Sequence, residues 1–274
     1  MREASNGVDK TVKKPTHSIT WQGFFAGLMY LFMYLPILVL TLFSFNASPS
    51  SARWEGFSWQ WYQRLFADDR IFIALQNSLI VAIGSVTIAA VLGTLMSVGL
   101  AKYTFPGKGL YQGIAYLPLI VPDIAIAVAT LLFLAYIAIP LSIGTVIAAH
   151  VVFCIAYIAI VVSTRLANLN PFLEEAALDL GATPVQAFVK VLLPQLLPGI
   201  IAGCLLAFVL SMDDLLIASF TTGSGATTLP IEIFSRVRTG VKPDINALSV
   251  LLILASGLLA FIAETIRYQG SKHS

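Results

Sequence analysis

Residues 165–195, RLANLNPFLEEAALDLGATPVQAFVKVLLPQ, separate two long apolar runs and decide how the chain is read. Asn170 has the side chain of a helix N-cap, and Pro171 fits the first helical position after it. Glu174 and Glu175 then fall in or near the first turn, where the helix dipole favours acids. Phe172, Leu173, Ala176, Ala177 and Leu180 recur at the spacing of one helical face. Gly181 ends this helix as a left-handed cap. Thr183-Pro184-Val185-Gln186 has the form of a capping box, with Pro opening a second helix that runs to Pro194. The stretch therefore predicts two short helices joined by a hinge. The amphipathic pattern alone equally fits a helix lying in a membrane interface.

Outward from this loop the chain is apolar. Of its 274 residues, 58% are hydrophobic and only 11% charged, with a mean hydropathy of +0.86. Soluble domains carry about 25% charge, so the bilayer is the relevant solvent. The net charge of +2 is too small to imply a nucleic-acid partner. A helix needs about 20 apolar residues to cross the hydrocarbon core. Six stretches qualify, near 22–46, 76–101, 111–136, 141–164, 196–220 and 245–267, and no Lys or Arg lies in their interiors. The first follows Lys10, Lys13 and Lys14, but its apolar run is too long for a cleaved signal peptide, so it is expected to be a retained span. The expected organisation is a 1–20 tail, a membrane domain over 21–268 that includes the 165–195 loop, and a 269–274 tail.

Basic residues set the orientation. With both termini inside, ten Lys and Arg lie on the cytoplasmic side and six on the other. Two outer segments are then long. Residues 47–75 hold Trp54, Phe57, Trp59, Trp61 and Tyr62, which suit a membrane interface and a short surface helix. Residues 222–244 carry Gly223 and Gly225 ahead of Pro230 and are expected to dip back into the protein. Tyr103 to Gly109 is a tight inner turn, and Ile137 to Pro140 a bare outer hairpin.

Specific residues resolve the ambiguity of the loop. Glu175-Ala176-Ala177, then Gly181, then Val191-Leu192-Leu193-Pro194 resembles the EAA motif of ABC-importer permeases, Glu-Ala-Ala-x3-Gly-x9-Ile-x-Leu-Pro, with Val191 in place of Ile. The resemblance implies a type I ABC-importer permease fold, all-α with six transmembrane helices. It implies that the segment holding Glu174, Glu175, Ala176, Ala177, Asp179, Gly181 and Pro194 is a coupling helix that docks on a cytoplasmic ATPase dimer. ATP and Mg would then act in that partner and no cofactor in this chain. A homologous permease subunit and a periplasmic binding protein would complete the importer in a bacterial inner membrane. This chain itself has no nucleotide-binding loop: Gly107-Lys108 lacks the glycine spacing and the Ser/Thr that a P-loop needs.

Asp123, Asp213 and Asp214 are the formally charged residues well inside the spans, and such residues default to a pathway or pairing role. Pro118 and Pro122 should break the third span just before Asp123. On straight helices Asp123 lies roughly 18 Å beyond Tyr111 and Asp213 roughly 23 Å beyond Pro198, both in the central-to-outer bilayer. With no Lys or Arg in the spans, salt bridging within the chain is not expected. Carboxylates lining a cavity attract cations, so a cationic substrate is favoured. The alternative is that one of them caps a broken helix or meets a partner subunit. Asp213 and Asp214, about 100° apart on a helix, are expected to divide into one pathway and one structural role.

Here too the residues resemble a family. Val121-Pro122-Asp123, Leu210 to Leu215, Gly225 to Pro230 and Arg238 to Leu248 look like the bacterial polyamine permeases, above all the second permease subunit of putrescine importers, with spermidine permeases also similar. Their substrates are flexible polycations, for which the acids are suitable partners. Other candidates carry less. His150 reads as a hydrogen-bonded packing residue rather than a proton relay. Tyr116, Tyr136 and Tyr157 could stack on an alkylammonium but usually pack. Cys154 and Cys204 lie in apolar runs and read as small core residues. A gradient-driven transporter or an intramembrane enzyme could also use buried acids, though neither needs an EAA segment.

Overall fold

The computed structural model describes residues 21–49, 53–240 and 242–272, with side chains as far as Leu258. The expected 1–20 tail and residues 273–274 lie outside them. Four helices among the described residues are long and apolar enough to cross a membrane. They are α1 (Trp21–Phe43), α3 (Asp69–Lys102), α6 (Ile143–Ala167) and the run Pro184–Asp213. The third expected span is composite: α4 (Lys108–Ala115), a 3-10 turn at Leu117–Leu119 and α5 (Asp123–Tyr136). Pro118 and Pro122 cause this break, since neither can donate to a helical ladder and each ring crowds the turn before it. The sixth is α12 (Pro243–Lys272), which carries the helix through residues 269–272.

The core is a three-helix seam of α3, α6 and α9, the last covering Leu193–Asp213. In lipid there is no hydrophobic drive between apolar helices, so close backbone approach supplies the attraction. Ile158 of α6 is fully buried between Gly93 of α3 and Gly203 of α9. A Cβ on Gly93 would lie 3.0 Å from the Ile155 carbonyl, and one on Gly203 would lie 3.2 Å from Ile158 Cα. Buried Ala89 and Ser97 continue the small-residue face of α3, and Ser97 Oγ meets Ser163 Oγ at 2.9 Å. By contrast α1 presents exposed apolar side chains along its length and touches α12.

The end of the bundle away from the 165–195 loop is built from the two long connections. In the first, Asn46 Oδ1 accepts from Glu55 N at 2.9 Å, its Nδ2 donates to the Arg53 carbonyl at 2.7 Å, and Trp61 Nε1 donates to the Asn46 carbonyl at 2.6 Å. These bonds seat α2 (Gln60–Phe66), whose Trp61 and Tyr62 are buried against Ala247 of α12. Trp54, Phe57 and Trp59 stay exposed. In the second connection, Asn77 Nδ2 of α3 donates to the Thr227 carbonyl at 2.9 Å, and Ser78 Oγ accepts from Leu229 N at 2.8 Å. The segment is thus stitched onto α3 before α11 (Leu229–Thr239) begins.

Among the boundaries that differ from the sequence reading, three shape the bundle. The segment 47–75 ends early: Asp68, whose side chain accepts from Arg70 N, starts α3 at Asp69, so 69–75 is helix. The second loop helix does not stop at Pro194. It runs from α8 (Pro184–Ala187) through a π turn at Phe188–Leu192 straight into α9. The wider turn, with Leu193 N donating to the Phe188 carbonyl, relieves the crowding that Pro194 imposes on the preceding turn. Finally, the fifth span is not continuous over 196–220. It breaks at Asp214 and resumes as α10 (Leu216–Thr221).

Candidate functional site

Two regions carry the candidate functional residues, and local chemistry shapes the first. Asn170 Oδ1 accepts from Phe172 N at 3.0 Å, capping a turn that leads into α7 (Leu173–Asp179) two residues later than expected. At the other end Gly181 sits at φ +86°. Gly181 N donates to the Leu178 carbonyl at 2.9 Å and Ala182 N to the Ala177 carbonyl at 3.1 Å, the paired bonds of a Schellman motif. The capping box also forms: Gln186 N donates to Thr183 Oγ1 at 3.3 Å, and Thr183 N donates to Gln186 Oε1 at 3.0 Å. The result is a rigid projection whose two ends are fixed by its own residues.

That projection is tied to the bundle on one side and open on the other. Glu174 forms an ion pair with Lys102 at the end of α3. Glu175, Ala176 and Asp179 are exposed, as is Pro194. Leu180 is 89% exposed and Val185 71%, with Phe172 and Leu178 also uncovered. Large apolar side chains gathered on a loop outside the spans mark a surface that meets a protein or a membrane. A cavity of ≈ 990 Å³ lies behind the loop, lined by Ser97, Lys102, Tyr116, Ser163, Asn168 and Glu174 among others.

The second region is the pair of broken spans. Asp123 is the first residue of α5, and Asp213 is the last of α9. Both side chains are exposed on this chain. Asp214 is different: its carboxylate accepts from Ala218 N at 2.7 Å and Ile217 N at 3.3 Å, so it caps α10. It also faces His150 Nε2 at 3.2 Å, without the alignment of a hydrogen bond. Asp214 is thus engaged within the chain by capping bonds, the alternative the sequence left open, and by a nearby imidazole. The neighbouring ring is a histidine on α6, not a Lys or Arg. His150 is itself buried and bonded to Ser211, as a packing residue should be. α10 packs beside α5, so the two breaks belong to neighbouring elements. Cys154 and Cys204 are free thiols.

At the opposite face Arg236 of α11 gathers three acids from three elements: Asp68 at 2.8 Å, Glu232 at 2.8 Å and Asp244 at 3.5 Å. Burial raises the Asp68 pKa, but the Arg236 guanidinium and the Arg70 backbone N–H outweigh it and hold the carboxyl below its usual range. Burial works against the Arg236 charge, and Glu232 and Asp68 together more than offset that, raising its pKa. The i,i+4 spacing of Glu232 and Arg236 was a signal the sequence offered, but Asp68 joins them from a distant part of the chain and nothing local points to it.

A helical bundle with a projecting loop, a seam of small residues and two acid-bearing breaks defines a membrane permease. The chain belongs to the family of binding-protein-dependent transport system inner membrane components, which matches residues 89–269. Curated relatives extend the likeness to nearly the whole chain. It is 44% identical over 252 residues to the putrescine transport system permease protein PotI of Escherichia coli strain K12, covering 89% of each chain. It is 37% identical over 242 residues to the spermidine/putrescine transport system permease protein PotC of Haemophilus influenzae, covering 88% of this chain and 94% of that one. Among solved structures, a chain of a bacterial ABC transporter that imports alginate superposes with a TM-score of 0.75 at 14% identity, over 92% of this chain and 99% of that one. At that identity the likeness shows the fold alone, the type I ABC-importer permease fold. The chain is thus a transport component rather than an enzyme.

Proposed function

We propose that this chain forms half of the translocation pathway of an ATP-driven importer for polyamines, putrescine foremost. The observation that carries the substrate class is the placement of uncompensated carboxylates, Asp123 and Asp213, at two neighbouring helix breaks whose spans hold no Lys or Arg in their interiors. A flexible dication suits such a lining, and an anion does not. The names of the relatives support the same class. The exposed apolar face of α7 and α8, with Glu175, Asp179 and the Gly181 turn, is the surface that docks on a cytoplasmic ATPase dimer, where ATP and Mg act. A homologous permease subunit completes the pathway, and a periplasmic polyamine-binding protein delivers substrate to the face built by α2 and α11. Both tails, 1–20 and 269–274, are then cytoplasmic, and the apolar exterior meets lipid.

The test is uptake of labelled putrescine and spermidine by importer-deficient cells that express the partner chains with or without this one. Uptake that requires this chain supports the proposal. An assembled complex that moves neither polyamine removes the substrate class and leaves a permease for another small cation.

A further inference from the structure

The adjacent acids Asp213 and Asp214 do not share a role. At Asp214 the chain leaves helical geometry, with φ −69° and ψ 120°. Its carboxylate turns forward to two N–H groups of α10 and sideways to His150. On the far side of the same ring, His150 Nδ1 lies 2.8 Å from Ser211 Oγ, just before the break. His150 is 1% exposed and the Asp214 side chain 10%. The other end of α10 is also fixed to α6: Thr145 Oγ1, 2.8 Å from the Thr221 carbonyl and 2.7 Å from that of Ser142, shares its proton between them. α6 thus holds the break before and behind. The Asp213 carboxylate is exposed and makes no hydrogen bond or ion pair with another described residue.

We infer that Asp214 is a positioning residue, engaged by His150 and by the N–H groups of α10, and that Asp213 presents the one carboxylate of the pair that meets a cationic substrate. This deepens the polyamine reading and rests on it. An ammonium group reaching Asp214, whose side chain is only 10% exposed, would compete with the α10 N–H groups it caps and crowd the His150 ring, at the cost of loosening buried donors from their acceptor. At Asp213 no such cost arises. Asn at 214 still offers an oxygen to the α10 N–H groups, whereas loss of the His150 ring leaves a buried carboxylate without its cross-helix partner.

The experiment uses the assembled complex in proteoliposomes with loaded binding protein at saturation. Putrescine uptake, ATP hydrolysis and the thermal midpoint of the complex are followed together. Asp213→Asn should keep the midpoint and lower putrescine moved per ATP by about tenfold or more, the loss expected for one charge-assisted bond. Asp214→Asn should hold uptake within about twofold, because Asn remains a cap. His150→Gln should lower the midpoint and depress uptake and hydrolysis together, leaving their ratio unchanged. Adding Asp214→Asn to His150→Gln should restore both. Normal transport by Asp213→Asn, together with an Asp214→Asn complex that keeps its midpoint yet moves no putrescine, would overturn the division of roles. So would a double variant no better than His150→Gln. If the wild-type complex moves no polyamine, the substrate reading fails, and the midpoints of the single and double variants still decide whether His150 and Asp214 act as a pair.

Discussion

Replacing Gly181 isolates the backbone contribution to the proposed docking role of the 165–195 loop. Its φ of +86° lies in the left-handed region, and no atom stands within 4 Å of an added Cβ. Any substitution there is penalised by conformation and not by volume. The left-handed region costs a residue with a Cβ about 1–2 kcal/mol, less for Asn and more for a β-branched residue. That range is a factor of about 5–30 in the population of the loop conformation. The two bonds that close α7, Gly181 N to Leu178 and Ala182 N to Ala177, are lost with it. Putrescine moved per ATP should therefore fall in the order Gly, Asn, Ala, Val, although Asn is larger than Ala. The assay is ATP hydrolysis and uptake in parallel, at matched abundance of the assembled complex. An order that follows side-chain size, or equal coupling in all four, would refute the backbone argument. Gly181→Asp should uncouple transport while leaving membrane insertion intact, and normal uptake by it would count against the docking role of the loop.

Further outcomes follow from the packing and the charges. Gly203→Val places atoms against the Ile158 backbone, 3.2 Å from the Cβ position, and should destabilise the three-helix seam by about 1–3 kcal/mol, seen as a lower thermal midpoint of the purified protein. Thr183→Ala removes the capping box of α8 at a cost of about 1 kcal/mol, and faster limited proteolysis of the 165–195 loop would report it. At the opposite face Asp68 has its pKa held down, so it contributes stability that is present above the usual carboxylate range, near pH 4, and is lost as pH falls through its depressed value. Asp68→Asn should remove that acid-side loss of thermal stability, and an unchanged profile would show that Arg236 does not depend on Asp68.

What the sequence made legible follows the range of each interaction. The two loop helices could be read because Asn170, Gly181, Thr183 and Gln186 act on neighbours within a few residues. The third span broke where Pro118 and Pro122 predict, since proline acts through its own ring. The fifth break was hidden. Ser211 to Leu215 contains neither Pro nor Gly, and the break lies against His150, which bonds Ser211 from about sixty positions away in the chain. The early start of α3 had a visible but unread signal, Asp68 as an N-cap followed by Asp69 in the first turn. Of the three intramembrane acids, sequence could place all and assign none. Only the geometry separates Asp214, turned inward, from Asp123 and Asp213, which face outward.

In the proposed importer, ATP binding in a partner drives a polycation through this chain. The most direct measurement of this is accumulation of labelled putrescine in proteoliposomes that hold the full complex and loaded binding protein. ATP is supplied on the side that the 165–195 loop faces, with no ion gradient present. Accumulation should need ATP and this chain together and should cease when the α7 surface is disrupted at Glu175 and Leu180. Putrescine accumulation that ignores ATP and follows an imposed proton or sodium gradient would contradict that mechanism.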